Sequence, residues 1–300
     1  MHGLNTMKCC IFNSLAVHYE MYAYVLDYFK EKKLSIDVYT NKTNQSGWLD
    51  FYEQKFNITT WFPISFFNAS AYDYVFLLTD DDTGYEPFWN HTTRVIVVEH
   101  DGKRRLNLKS YCTIQTRQFK LREPPDPDTW VMPVWNNLST ERFNKLTVLS
   151  IGNSSNGINL PSLFSNFNEI DFILVDRYIN SANTTNITRY NNLSASSLIE
   201  IAKKAHYIVF WPTNSFLEGH KYHSISGAFP LAFTVGTPLL MPESFIEPLG
   251  LDGITGISGS IHLEKPTEEL YSNVLLQRDI LLKKRNSVFD SILSGYRYLR

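Results

Sequence analysis

Three groups of residues in this chain have the types and spacing that chemistry uses. The first is Ser224-Ile225-Ser226-Gly227-Ala228, set directly before the apolar run Phe229–Val235. Serine and glycine ahead of such a run open a helix, whose start offers backbone N–H groups and the positive end of the peptide dipole to an anion. A glycine there lets a ligand come close to the backbone. The second group is the acidic triplet Asp80-Asp81-Asp82, which follows the apolar run Tyr74–Leu78. Carboxylates at a strand end can hold a hard divalent cation, and the same pattern also serves as a solvated turn. The third group is His18 and His100, the latter followed by Asp101. Imidazole titrates near neutrality, so either histidine can move a proton if it faces a substrate.

Other patterns are absent or weak. There is no C-x-x-C pair, H-E-x-x-H, P-loop or G-x-S-x-G, and Gly152 and Gly157 lack the third glycine of a dinucleotide fingerprint. His206 and His262 stand alone, without ligand spacing, and read as core or surface histidines. A net charge of −2 provides no basic excess for a phosphate backbone, so nucleic acid is not the expected partner. Lys103-Arg104-Arg105 and Lys283-Lys284-Arg285 read as solvated faces.

The three cysteines, Cys9, Cys10 and Cys112, fall in apolar segments and read as core thiols of a reducing compartment. No apolar run reaches the roughly 18 residues that span a bilayer, and the first residues lack a secretory apolar region, which gives the expectation of a cytoplasmic protein. N-x-[ST] matches at Asn57, Asn68, Asn90, Asn137, Asn183, Asn186 and Asn192 read in that light as a product of composition.

These groups need elements to hold them. A chain of 300 residues with 43% hydrophobic residues, 20 Phe and 17 Tyr buries a large core. Lys8–Val17 begins as an apolar strand, Tyr19, Tyr22, Val25, Leu26 and Phe29 recur at helical spacing, and Ser35–Thr40 alternates as a second strand. Ile58–Phe62, Tyr74–Leu78, Arg94–Val98 and Tyr111–Thr116 continue the series. Short unbroken Val/Ile/Leu runs suit parallel strands covered on both faces. Pro124, Pro125 and Pro127 interrupt the texture.

From Leu146 the pattern restarts: strand 146–152, helix Pro161–Phe167, strand Phe172–Val175, then an Asn-rich loop. A Ser194-capped helix with a stripe of Leu198, Ile201, Ala202 and Ala205 leads to strand Tyr207–Trp211. A helix over Ser226–Val235 leads through Gly236-Thr237-Pro238 to strand Leu239–Met241, and a long helix runs from Thr267 to about Ile292. The expected fold class is α/β, two Rossmann-like lobes facing each other. The expected boundaries are residues 1–140 and 141–300, the joint near 140–146, with the terminal helix packing across it.

The segment Ser224–Pro242 resembles the donor-site segment of GT-B glycosyltransferases of the GT4-like type, in which a small-residue turn opens a helix of the form x-x-A-x-x-x-G-x-P before an apolar strand. The resemblance covers most of the chain in layout and about twenty residues in motif. It implies an N-terminal acceptor lobe, a C-terminal nucleotide-sugar donor lobe, and transfer of a hexose from a UDP- or GDP-sugar to a hydroxyl of a glycan, protein or small molecule, with no metal or other cofactor required. It implies further that Ser224, Ser226, Gly227 and Ala228, with Gly152, Asn153 and Arg177, bind the nucleotide diphosphate in the interlobe cleft. His18 would act as base in an inverting enzyme, and His100 with Asp101 would contact the sugar in a retaining one.

The sequence departs from the family in two places. The E-x7-E pattern is absent, since the residue seven beyond Glu218 is Ile225. The Arg/Lys pair is missing from the loop Gly152–Gly157, which leaves Arg177, His220, Lys221 or His223 to supply positive charge. Two other readings stand beside this one: a GT-A-like transferase using a metal on Asp80–Asp82, and a GT-B-shaped protein that binds a glycan or a partner without catalysis.

Overall fold

A computed structural model describes residues 7–14, 19–41, 47–57, 61–78, 93–99, 112–116, 130–152, 159–176, 184–191, 193–211 and 227–295. The chain divides into two compact units, Met1–Trp135 with Leu281–Arg300, and Asn136–Ile280.

The first unit is built on strands β1 (Cys9–Asn13), β2 (Asp37–Thr40), β3 (Trp61–Pro63), β4 (Tyr74–Leu77), β5 (Arg94–Glu99) and β6 (Cys112–Gln115). All pair in parallel in the order β3-β2-β1-β4-β5-β6. All five residues of β1 are buried, the burial expected of a strand covered on both faces. Helix α1 (Tyr22–Glu31) is buried all round from Tyr22 to Phe29, so its tyrosine hydroxyls need internal partners. Tyr22 Oη donates to Thr40 Oγ1 at 2.9 Å and Tyr28 Oη to Asp290 Oδ1 at 2.7 Å. Helix α2 (Trp48–Phe56) is not evident from the sequence; it starts and stops on left-handed residues, Gly47 and Asn57, and buries only Leu49 and Tyr52.

The second unit repeats the design with β7 (Thr147–Ile151), β8 (Asp171–Asp176), β9 (Ile187–Asn191), β10 (Tyr207–Val209), β11 (Leu239–Pro242) and β12 (Ile254–Ile257). These pair in parallel in the order β12-β11-β10-β7-β8-β9. Counted within its own unit, each sheet therefore has the doubly wound order 3-2-1-4-5-6. The helices are α3 (Leu160–Leu163), α4 (Ala195–Lys204), α5 (Ala228–Val235), α6 (Ile246–Leu249) and α7 (Glu268–Leu293). Residues of α7 up to Ile280 belong to the second unit, and those from Leu281 onward to the first.

Several expectations change. The helix expected over Pro161–Phe167 is the single turn α3, because Phe164 turns extended and bridges to Ile261. The loop expected after β8 contains the edge strand β9. On α4 the expected Ala202 and Ala205 are buried, but Ala195 and Ile199 complete the buried line while Leu198 and Ile201 are only partly covered, and Ser194 caps the helix by accepting from Ser197 N–H at 3.2 Å. The basic run Lys283–Arg285 is not a solvated face throughout: Arg285 is fully buried. Cys9, Cys10 and Cys112 are buried thiols, none of them in a disulfide. Among the described residues no helix is long and apolar enough to cross a membrane.

Candidate functional site

In a doubly wound sheet, ligands gather beyond the carboxyl ends of the strands, where the strand order reverses. In the second unit the reversal lies between β7 and β10, which pair directly. Gly152 follows β7 at this edge. Its φ of +73° is a left-handed conformation that glycine adopts without strain, and its N–H donates to Val175 O at 2.8 Å, tying the turn to β8. The crossover from β10 to β11 contains α5, and a crossover helix runs antiparallel to its strands. The N-terminus of α5, at Gly227 and Ala228, therefore faces the same carboxyl edge as Gly152.

Gly227 caps α5 with φ −57°, a value any residue adopts, and Leu231 N–H donates to its carbonyl at 3.2 Å. A Cβ built on Gly227 meets no described residue within 4 Å. Conformation does not require glycine here, and neither does the described packing. Among the described residues no side chain blocks approach to the helix start, the property an anion site uses. Pro230 sits in the first turn and brings no N–H, so the donors there are fewer than in an ordinary helix start.

At its other end α5 stops at Gly236, φ +73°, whose N–H donates to Ala232 O. Thr237 Oγ1 donates to Ala202 O of α4 at 2.9 Å. The guanidinium of Arg142 joins the same corner, with Nη2 on Gly236 O at 2.9 Å and Nη1 on Lys203 O at 2.6 Å. Sequence patterns give no sign of Arg142, because a single arginine outside any periodic element carries no signal.

Of the expected nucleotide residues, the structure places Gly152, Gly227 and Ala228 on one sheet edge. Asn153, Arg177, Ser224, Ser226 and the expected catalytic His18, His100 and Asp101 lie outside the described residues, as do Asp80–Asp82, His220, Lys221 and His223. Among the described residues no group of three or more His, Cys, Asp or Glu could hold a metal ion. In the first unit, β1 ends at that sheet's reversal on the buried Asn13, whose carbonyl accepts from Asn41 N–H at 3.3 Å.

His206 belongs to the interior. Its Nδ1 accepts from Thr147 N–H at 3.2 Å, and burial, with the charges of Lys265 and Arg142, pushes its pKa down to about 4. His262 is exposed. Two of the N-x-[ST] asparagines are built into the fold: Asn137 is buried, and Asn186 Nδ2 donates to Phe167 O at 2.8 Å and Ile170 O at 3.2 Å.

No protein-family model and no curated protein matches the chain. Solved structures do. AviGT4, a glycosyltransferase involved in avilamycin A biosynthesis, is similar with a TM-score of 0.61 at 10% identity, covering 96% of this chain and 98% of that one. An α-glucosyltransferase in complex with UDP and a 13-mer DNA containing an HMU base is similar with a TM-score of 0.55 at 12% identity, over 97% and 96%. Anabaena Alr3699/HepE in complex with UDP-glucose is similar with a TM-score of 0.53 at 10% identity, over 97% and 95%. With two parallel sheets of the same doubly wound order and likenesses that run the whole length of these proteins, the chain has the GT-B fold of glycosyltransferases.

Proposed function

We propose that the protein is a glycosyltransferase that moves a hexose from a UDP- or GDP-sugar to a hydroxyl acceptor, with the nucleotide diphosphate held at the start of α5. The observation that carries this reading is the glycine cap at Gly227, clear of every described side chain, at the carboxyl edge and strand-order reversal of the second sheet. In the reaction the bond between the anomeric carbon and the diphosphate oxygen breaks and its electron pair leaves with the diphosphate, while the acceptor oxygen bonds to that carbon. A helix start stabilises the charge that develops on the leaving group, which makes a metal dispensable. The backbone of Gly227 and Ala228, the turn at Gly152–Asn153, the hydroxyls of Ser224 and Ser226 and the Arg177 guanidinium are the groups assigned to it. The donor-site motif favours retention of configuration, with His100 and Asp101 contacting the sugar and the acceptor proton passing to the leaving diphosphate oxygen. If the product is inverted, the acceptor proton goes to His18.

Melting-temperature shifts and calorimetry with UDP, GDP and their common sugars, each with EDTA and with Mn²⁺, test the reading. Binding and transfer that persist in EDTA are expected. A strict Mn²⁺ requirement would instead favour a site on Asp80–Asp82, and no binding of any nucleotide would favour a non-catalytic protein. Product stereochemistry, read beside His18→Ala and His100→Ala, assigns the two histidines. The acceptor panel includes DNA, because one protein of similar fold was solved with it.

A further inference from the structure

Helix α5 has eight residues, roughly 12 Å of axis, and almost all of its surface is buried and apolar. Apolar packing holds such a helix in the core but is non-directional, so it leaves rotation and sliding weakly specified. Gly227 contributes no side-chain cap at the N-terminus. Several strong polar contacts gather at the opposite end. There a single guanidinium, Arg142, donates to the C-cap carbonyl of α5 (Gly236 O, 2.9 Å) and to a last-turn carbonyl of the neighbouring α4 (Lys203 O, 2.6 Å).

The Arg142 side chain is itself held. Nη1 also reaches Ser139 O at 2.9 Å and Glu141 O at 2.8 Å, Nε donates to Tyr271 Oη at 3.1 Å, and the guanidinium lies 4.9 Å from the centre of the Tyr271 ring. The next residue reinforces the joint, since Phe143 N–H donates to Lys204 O at 2.9 Å. A cation is also the charge that suits two helix C-termini at once. Arginine fits this place because its planar fork bonds several carbonyls in fixed directions, whereas the ammonium of lysine is a point charge on a flexible stem.

We propose that Arg142 is a positioning residue of the donor site: by locking the C-terminal ends of α5 and α4 on one guanidinium, it fixes the line along which α5 presents its N-terminus to the nucleotide diphosphate. The inference rests on the donor-site reading above. Arg142 stands at the amino edge of the sheet, a helix length from the ligand, and acts only through α5.

The test uses the full chain with Arg142→Ala and Arg142→Lys, UDP as probe at 20 °C, and two readouts, calorimetric affinity and hydrogen–deuterium exchange of the ligand-free protein over 228–235. Positioning predicts UDP affinity weakened about tenfold in both variants, lysine failing to rescue, with exchange accelerated over 228–235 but not over β7 and β8. Arg142→Lys keeps a cation at the joint and serves where the alanine variant fails to fold. Wild-type affinity in a folded variant, with only the melting temperature lowered, overturns the proposal. Unchanged exchange over 228–235 overturns it as well. A wild-type protein that binds neither UDP nor GDP refutes the donor-site reading itself, and is told apart because the failure then precedes any substitution.

Discussion

Arg285 Nη1 donates to Asp27 Oδ2 at 2.6 Å in the interior of the first unit, with the arginine side chain fully buried and Asp27 nearly so. Nη2 reaches Glu31 Oε2 at 2.8 Å, and the carbonyls of Tyr24 and Val134 lie at 3.5 and 3.4 Å from Nη1. Removing one partner of such a pair strands a buried charge, which costs about 3–5 kcal/mol. Arg285→Met is expected to lose stability on that scale in urea unfolding, and Asp27→Asn less, because its amide oxygen still accepts from the arginine. Equal, small losses in the two variants would show that the pair is dispensable.

Gly227→Val is expected to abolish nucleotide binding while leaving the fold intact. The backbone there suits any residue and a Cβ meets no described neighbour, so the melting temperature should move by no more than about 3 °C. Unchanged UDP affinity would refute the placement of the diphosphate.

Glycines 152 and 253 separate conformational strain from collision. Both have positive φ, but a Cβ at Gly152 meets no described residue within 4 Å, while one at Gly253 lies 2.8 Å from Val274 Cα and 2.9 Å from its nitrogen. Gly152→Ala should cost about 1 kcal/mol, and Gly253→Ala clearly more, since the backbone of α7 must shift as well. Urea midpoints of the two variants, measured side by side, check the order.

Stability should fall in mild acid through His206. Above about pH 6.5 the imidazole is neutral in both states. Between there and about pH 4 the unfolded chain binds a proton that the folded protein refuses, so the loss grows as pH falls and is complete near pH 4. The ceiling is about 3 kcal/mol. His206→Asn, whose Oδ1 can accept from Thr147 N–H in place of Nδ1, should flatten this part of the pH profile; a variant with the wild-type slope would assign it to other groups.

The strands β1, β4, β5 and β7 are legible in the sequence because strands buried on both faces need uninterrupted apolar runs. Edge strand β9, reading Ile-Thr-Arg-Tyr-Asn, buries only Ile187 and offers neither a run nor an alternation. Arg285 misleads for a related reason: a run of three basic residues reads as one solvated face, but on a helix its members point in different directions, and this one points inward. At the site, the helix start is legible from Ser226-Gly227, since small residues before an apolar run leave few other structures open. Arg142 is not, because its importance comes from carbonyls that only the folded chain brings together.

Helix α7 gives the molecule an unusual order of assembly. Leu281 onward, with Arg285 and with Phe289 packed among Tyr24, Tyr28 and Phe76, completes the first unit, although the ribosome makes it after all of the second. Translation of Asn136–Ile280 takes roughly ten to thirty seconds. Throughout that interval the first unit lacks the arginine that answers Asp27 and the aromatic ring that fills its core. The first unit is thus the last to close, and the nascent protein depends during that wait on whatever shields its uncovered core from its neighbours.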